Sequence, residues 1–180
     1  LSNLGLANNV VDIDDPHEQT EKIFHQYYDL VVVKVLKRER PQFAIYDENL
    51  PATIWNDNTY HYMVPSYALE IMQVNGRTQG WTVEHGEILL DCGMPVVGDN
   101  IRIKYLRHIE DTGLYTAEWV ELLSWELATY CAGRLTQDSA MLQLAAQGAQ
   151  AARQEYQTIN LRSAKPKLKT QNKFNAIWRR

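Results

Sequence analysis

The sequence predicts an α+β fold: a helical bundle with an inserted small antiparallel β-sandwich or twisted sheet, plus an extended C-terminal arm. Three observations predict it. Apolar residues recur at three and four positions up to residue 40 and again from residue 117, they alternate between 43 and 116, and residues 162–180 are basic with no acid.

The opening LSNLGLANN reads as the last turn of a helix, 1–7, closed by Gly5, because glycine takes the left-handed conformation that ends helices. The numbering is therefore expected to begin inside an element. Asp15-Pro16-His17-Glu18 is a helix start: Asp15 caps, Pro16 suits the first helical position and Glu18 completes a capping box. From there Ile23, Phe24, Tyr27, Leu30, Val31 and Val35 form one apolar stripe, and Pro41 stops it, giving a helix over 16–40.

Over 43–116 the period becomes two. Tyr60, Tyr62 and Val64 alternate with His61 and Met63, Trp81 and Val83 with Thr82 and Glu84, and Ile101, Ile103 and Tyr105 with Arg102 and Lys104. This is the pattern of strands with one wet face. His85-Gly86 between WTVE and EILL fits a tight hairpin turn, and Pro51, Pro65, Gly76, Gly80, Gly93 and Pro95 keep the strands short. The helical period then returns. EWVELLSWELATYCAGRL wraps apolar residues around more than half of a helix, 117–135, which is expected to be central and the most buried. After the cap-rich break Thr136-Gln137-Asp138-Ser139, a helix over 137–157 carries Met141, Ala145, Gly148, Ala152 and Tyr156 on one face, where small side chains let a neighbour come close. Residues 1–157 are thus read as one domain and 158–180 as a basic arm.

Charge divides the chain sharply. Arg162, Lys165, Lys167, Lys169, Lys173, Arg179 and Arg180 lie in the last 19 residues, leaving 11 bases against all 22 acids in the first 161, a net of −11. No apolar run is long enough to span a bilayer and the start lacks a signal pattern, so an unexported chain without membrane attachment is expected. Cys92 and Cys131 share no metal or redox spacing and read as buried thiols.

Catalytic constellations are missing from the sequence: there is no phosphate-binding P-loop, dinucleotide fingerprint, H-E-x-x-H or G-x-S-x-G. His17, His25, His61, His85 and His108 are scattered, and Asp12, Asp14 and Asp15 lack the glycine and late glutamate of a calcium loop. No catalytic residue, metal or cofactor is assigned. Trp81, Trp119 and Trp125 fall at core positions; Trp55 and Trp178 do not. The arm has three readings: a solvated terminus, a phosphate-binding tail, or a segment that docks into a partner protein. An acidic body a short tether away opposes nucleic acid, whereas Phe174, Ile177 and Trp178 align on one helical turn and suit docking, with the bases pairing to acids on the partner.

LSNLGLANNVVDIDDPHEQTEKIFHQYYD, followed by a β region ending in IRIKYLRHIEDTGLYTAEWVELLSWELATYCAGRLTQDSAMLQLAAQGAQAARQEY, resembles the head–tail adaptor, or tail tubular protein A, family of tailed bacteriophages over nearly all of 1–157. The likeness is clearest in the L-x-x-L-G opening, the Y-x-R-x-I-x-D bridge from Tyr105 to Asp111, and the R-L-T-x-D-S break from Arg134 to Ser139. The resemblance implies a non-enzymatic virion protein at the head–tail junction, assembled in the host cytoplasm. Such a protein forms a homo-oligomeric ring, usually of twelve subunits, beneath the portal protein and above tail nozzle or tail-tube proteins. DNA passes through its channel without specific binding. The resemblance also implies that the C-terminal segment reaches the portal, which places Lys165, Lys167, Lys169, Lys173, Phe174, Ile177, Trp178, Arg179 and Arg180 at that contact. The alternative is a tail-tube terminator or other minor connector that binds tail proteins only.

Overall fold

A computed structural model describes residues 19–54, 60–91, 100–136 and 138–163. Helix α1 (Gln19–Glu39) precedes seven strands, β1 (Ile45–Pro51), β2 (Thr53–Ile54), β3 (Tyr60–Met63), β4 (Ala68–Val74), β5 (Trp81–Glu84), β6 (Glu87–Leu90) and β7 (Asn100–Arg107). Helices α2 (Ala117–Leu135) and α3 (Ser139–Ser163) complete the described chain. The class is α+β, as the change of apolar period predicts.

Two antiparallel sheets form, one of three strands in the order β1-β7-β4 and one of four in the order β2-β3-β6-β5. Strand β7 joins two cores because its alternate side chains face opposite layers. Ile101, Ile103 and Tyr105 pack with Leu50, Tyr62, Val74 and Ile88 between the sheets. Leu106 points the other way, into a core with Val31, Val32, Val35 and Leu36 of α1, Trp119 and Leu122 of α2, and Ala152 and Tyr156 of α3. The inserted region is therefore a small sandwich, and its three-stranded sheet also meets the helices. The hairpin at His85-Gly86 takes φ of 51° and 82°, with Glu84 paired to Glu87, so the turn contains two residues of positive φ.

Boundaries differ from expectation at the end of α1 and at both ends of α3, which starts at Ser139 and not at 137. Helix α1 ends at Glu39, and Arg40 takes φ 45° while its N–H donates to the Leu36 carbonyl at 2.9 Å. The following Pro41 disfavours helical backbone at Arg40. Helix α3 continues to Ser163, so residues 158–163, expected to open the arm, belong to a helix. No glycine or proline interrupts that stretch, and the Thr158 hydroxyl donates to the Gln154 carbonyl at 2.8 Å, a bond made within a helix. The expected helix over 1–7, the capping residues Asp15 to Glu18, and Trp55, Cys92, Gly93 and Pro95 lie outside the described residues.

Helix α2 starts where Thr116 accepts from the Trp119 N–H through its side chain, and it packs along α3. Ala128 and Ala132 meet Ala145, so the two backbones approach closely. A Cβ built on Gly148 would stand 2.4 Å from Cε3 of Trp125. Gly148→Val is therefore expected to destabilise the fold by about 2 kcal/mol, because the overpacked contact separates the helices. Urea denaturation checks this; unchanged stability would mean that Trp125 swings aside freely. Cys131 is buried in α2, and burial pushes its thiol up to about 11, which keeps it protonated and unreactive at neutral pH.

Candidate functional site

The residues that the sequence singles out for docking, Lys165, Lys167, Lys169, Lys173, Phe174, Ile177, Trp178, Arg179 and Arg180, all lie outside the described residues. Among the described residues a groove lies where the sandwich meets the helices, and the Tyr105–Asp111 bridge runs along it.

Strand pairing builds the groove. Tyr46 of β1 lies opposite Tyr105 of β7, while Arg107 pairs with Ala68 at the start of β4, next to Tyr67. Tyr105 and Arg107 are two apart on one strand and so share a face. The Tyr105 ring lies 6.3 Å from that of Tyr46 and 5.8 Å from that of Tyr67. The Arg107 guanidinium carbon sits 5.2 Å from the centre of the Tyr46 ring and 4.8 Å from that of Tyr67, within cation–π range of both. Behind them, Tyr67 and Tyr105 both donate to Oε2 of Glu48, at 2.8 and 3.0 Å. The bond to Glu48, then burial, raises Tyr67 above its ordinary pKa; burial, then the same carboxylate, raises Tyr105. Both phenols stay protonated and remain donors.

The bridge finishes the wall. Ile109 is buried and its carbonyl accepts from the Tyr115 hydroxyl at 3.1 Å, while Asp111 Oδ1 accepts from the Gly113 N–H at 2.9 Å and caps a short 3₁₀ turn, Thr112–Leu114. The resulting cleft holds about 500 Å³ and opens beside a second of about 400 Å³ that reaches Asp29 and Val33 of α1. Ser66, Tyr67, His108 and Glu110 line both. Asp29, Glu110 and Asp111 have no cationic partner among the described residues, so the groove carries more negative than positive charge. It can hold a cationic, partly apolar segment.

The sequence reading missed this groove, although the Tyr-x-Arg spacing was one available signal. It also missed a buried ionic cluster between the helices. Glu126 of α2 is 5% exposed and accepts from Arg38 of α1 at 2.7 Å and from Arg153 of α3 at 2.5 Å. Glu39 accepts from Arg38 at 2.7 Å and from Gln157 at 3.0 Å. Elsewhere, His61 and Glu87 pair across β3 and β6 at 2.7 Å. Among the described residues no group of three or more His, Cys, Asp or Glu is arranged to hold a metal ion, and no helix is long and apolar enough to cross a membrane.

Compared with protein-family models and with curated proteins, the chain matches none.

Proposed function

We propose that this chain is a structural connector of tailed-phage particles: a head–tail adaptor that forms a ring beneath the portal protein, binds tail proteins on its other side and lets DNA pass. The observation that carries this reading is the Tyr105–Asp111 run, one of the three stretches on which the family resemblance rests. Each of its motif residues works at one joint. Tyr105 bonds Glu48, Arg107 lies against two rings, Ile109 anchors Tyr115, and Asp111 caps the turn that leads into α2. Tyr105 and Arg107 tie the strands of one sheet together while Ile109 and Asp111 shape the segment that leads into α2, which supports a scaffold role.

Two further features support the reading. Large apolar side chains are exposed on separate elements, among them Leu30 on α1, Met63 and Val83 on the sandwich, and Val120, Leu142 and Leu144 on the last two helices. A ring subunit meets several neighbours and needs apolar contacts on more than one side. The acidic body would line a channel through which DNA slides, because like charge removes the phosphate contacts that would hold it. No cofactor is needed.

Electron microscopy of the purified chain mixed with portal rings tests the proposal. Added rings on the portal are expected with the full chain, and deletion of residues 164–180 is expected to abolish them. Persistent failure of the full chain to associate would sink the reading, and protection of the arm from protease by a tail protein alone would replace it with the tail-terminator role.

A further inference from the structure

Asn75 is the chain's one asparagine followed by glycine. Asn75-Gly76 forms the turn after β4, with φ of 50° and 77°, and Val74 and Arg77 exchange both backbone bonds across it at 2.9 Å. Asparagine and glycine suit such a turn because both tolerate positive φ at adjacent positions. Asn75 also ties the turn to β7: its N–H donates to the Arg102 carbonyl at 2.7 Å, and its Oδ1 accepts from the Arg102 N–H at 2.8 Å. Next along β7, Ile103 pairs with Val74, and both belong to the core between the sheets.

These residues also hold the parts of a reaction. The side-chain amide carbon of an asparagine is an electrophile, and attack by the next residue's backbone nitrogen closes a five-membered ring. Gly76 has no Cβ to hinder that approach. It is exposed, and the space around it is open, since a Cβ built there would meet nothing within 4 Å. Its N–H donates to no acceptor among the described residues, so no bond need break to free the nitrogen. On the other side, the Arg102 N–H already reaches Oδ1, the oxygen that becomes negative as the nitrogen attacks, and a donor fixed there stabilises the charge.

We infer that Asn75 is a self-modifying site, converted in the folded chain to aspartate and isoaspartate with water as the only co-reactant. The Gly76 nitrogen bonds to Cγ of Asn75 and gives up its proton, the Cγ–Nδ2 bond breaks, and Nδ2 leaves as ammonia with that proton. Water then opens the cyclic imide at either carbonyl. Addition at Cγ restores the main chain and leaves an aspartate side chain. Addition at the backbone carbonyl leaves isoaspartate, whose main chain runs through Cβ. One amide and one water become one acid and one ammonia, with nothing oxidised or reduced.

The two products do different things to the fold. Aspartate keeps the turn and an oxygen for the Arg102 N–H, at the cost of one added negative charge. Isoaspartate lengthens the main chain by one methylene between Val74 and Arg77, so the paired bonds to Arg102 are lost and the end of β4 loosens from β7, the strand that joins both cores. The reaction needs no partner and is independent of the connector reading.

The full-length chain is incubated at neutral pH in heavy-oxygen water, folded in one arm and in guanidinium chloride in the other, then digested in ordinary water and read by mass spectrometry. One heavy oxygen at residue 75, shared between aspartate and isoaspartate, is expected in both arms, and electron-transfer fragmentation tells the two products apart. The folded rate should lie within about tenfold of the unfolded one, since the turn opens by breaking the two bonds between Val74 and Arg77 and the Arg102 donor offsets part of that cost. Asn75→Gln, whose longer side chain closes no five-membered ring, should take up no label there. The isoaspartate form should unfold about 5 °C below the unaged chain, the scale of two lost hydrogen bonds, whereas Asn75→Asp should unfold with the wild type. A folded rate below that range, toward the lag of about a thousandfold or more that global unfolding would impose, would show that the fold blocks the site. Faster labelling at another asparagine would move it, and an isoaspartate form as stable as Asn75→Asp would remove its hold on β7; each overturns the inference.

Discussion

Trp119→Ala is expected to lower stability by about 3–5 kcal/mol, the largest effect of any single substitution considered for this fold. Trp119 is fully buried at the start of α2. Its indole meets Phe43 edge-on at 5.4 Å, Tyr115 at 6.2 Å and Tyr156 at 5.5 Å, so one side chain ties the helix α3, the turn before α2 and the segment after α1 together. Its ring N–H has no hydrogen-bond partner among the described residues, so the loss is one of packing and not of a bond. Trp119→Phe should then cost well under half as much, since it keeps an aromatic ring and removes a buried unpaired donor. Thermal unfolding distinguishes the two: a fall of roughly 10 °C or more for alanine and a much smaller one for phenylalanine. Equal falls would show that the indole N–H matters after all. The alanine variant should also loosen α3, because Tyr156 would lose the ring against which it packs.

Much of this architecture was legible in the residues, and the reasons differ by element. The hairpin at His85-Gly86 could be read because its positive φ values are local demands that few residue types meet. Helix α2 was bounded correctly, with Thr116 as a side-chain cap at one end and the cap-rich break at the other. The close α2–α3 contact was foreshadowed by Ala145, Gly148 and Ala152 at helical spacing. The end of α3 was misjudged because apolar periodicity fades after Tyr156, although backbone bonding needs no periodicity and nothing up to Ser163 forbids it. The groove was not anticipated, since Tyr46, Tyr67 and Tyr105 become neighbours only through strand register, which depends on pairings between distant stretches. Glu126 misled in another way. Within a helix sequence it looks like a solvent-facing acid, and its burial depends on Arg38 and Arg153 arriving from two other helices.

That arrangement leads to the second large effect. Glu126→Gln is expected to destabilise the protein by about 2–4 kcal/mol, because removing one member of a buried ion pair leaves its partners' charge uncompensated. The figure is set below the usual range for fully buried pairs because the side chains of Arg38 and Arg153 are 30% and 34% exposed and water screens part of the imbalance. Burial alone would push the Glu126 carboxyl up, but the hydrogen bonds from Arg38 and Arg153 outweigh it and hold the group below its ordinary value. Burial likewise pulls Arg38 down, and its bonds to Glu126 and Glu39 more than offset this. A carboxyl whose folded pKa is depressed stabilises the fold above the unfolded value near 4.5, and that stability drains away as pH falls below it through the folded value. Wild-type unfolding free energy, measured by urea titration at a series of pH values, should therefore drop below about pH 4.5 by one carboxyl more than that of the glutamine variant, whose amide has no proton to take up. The gap between the two curves should be widest at neutral pH and narrow in acid. Parallel curves would mean that the carboxylate is not what joins the three helices, and the packing of Trp119 and the alanine seam would then carry the joint alone.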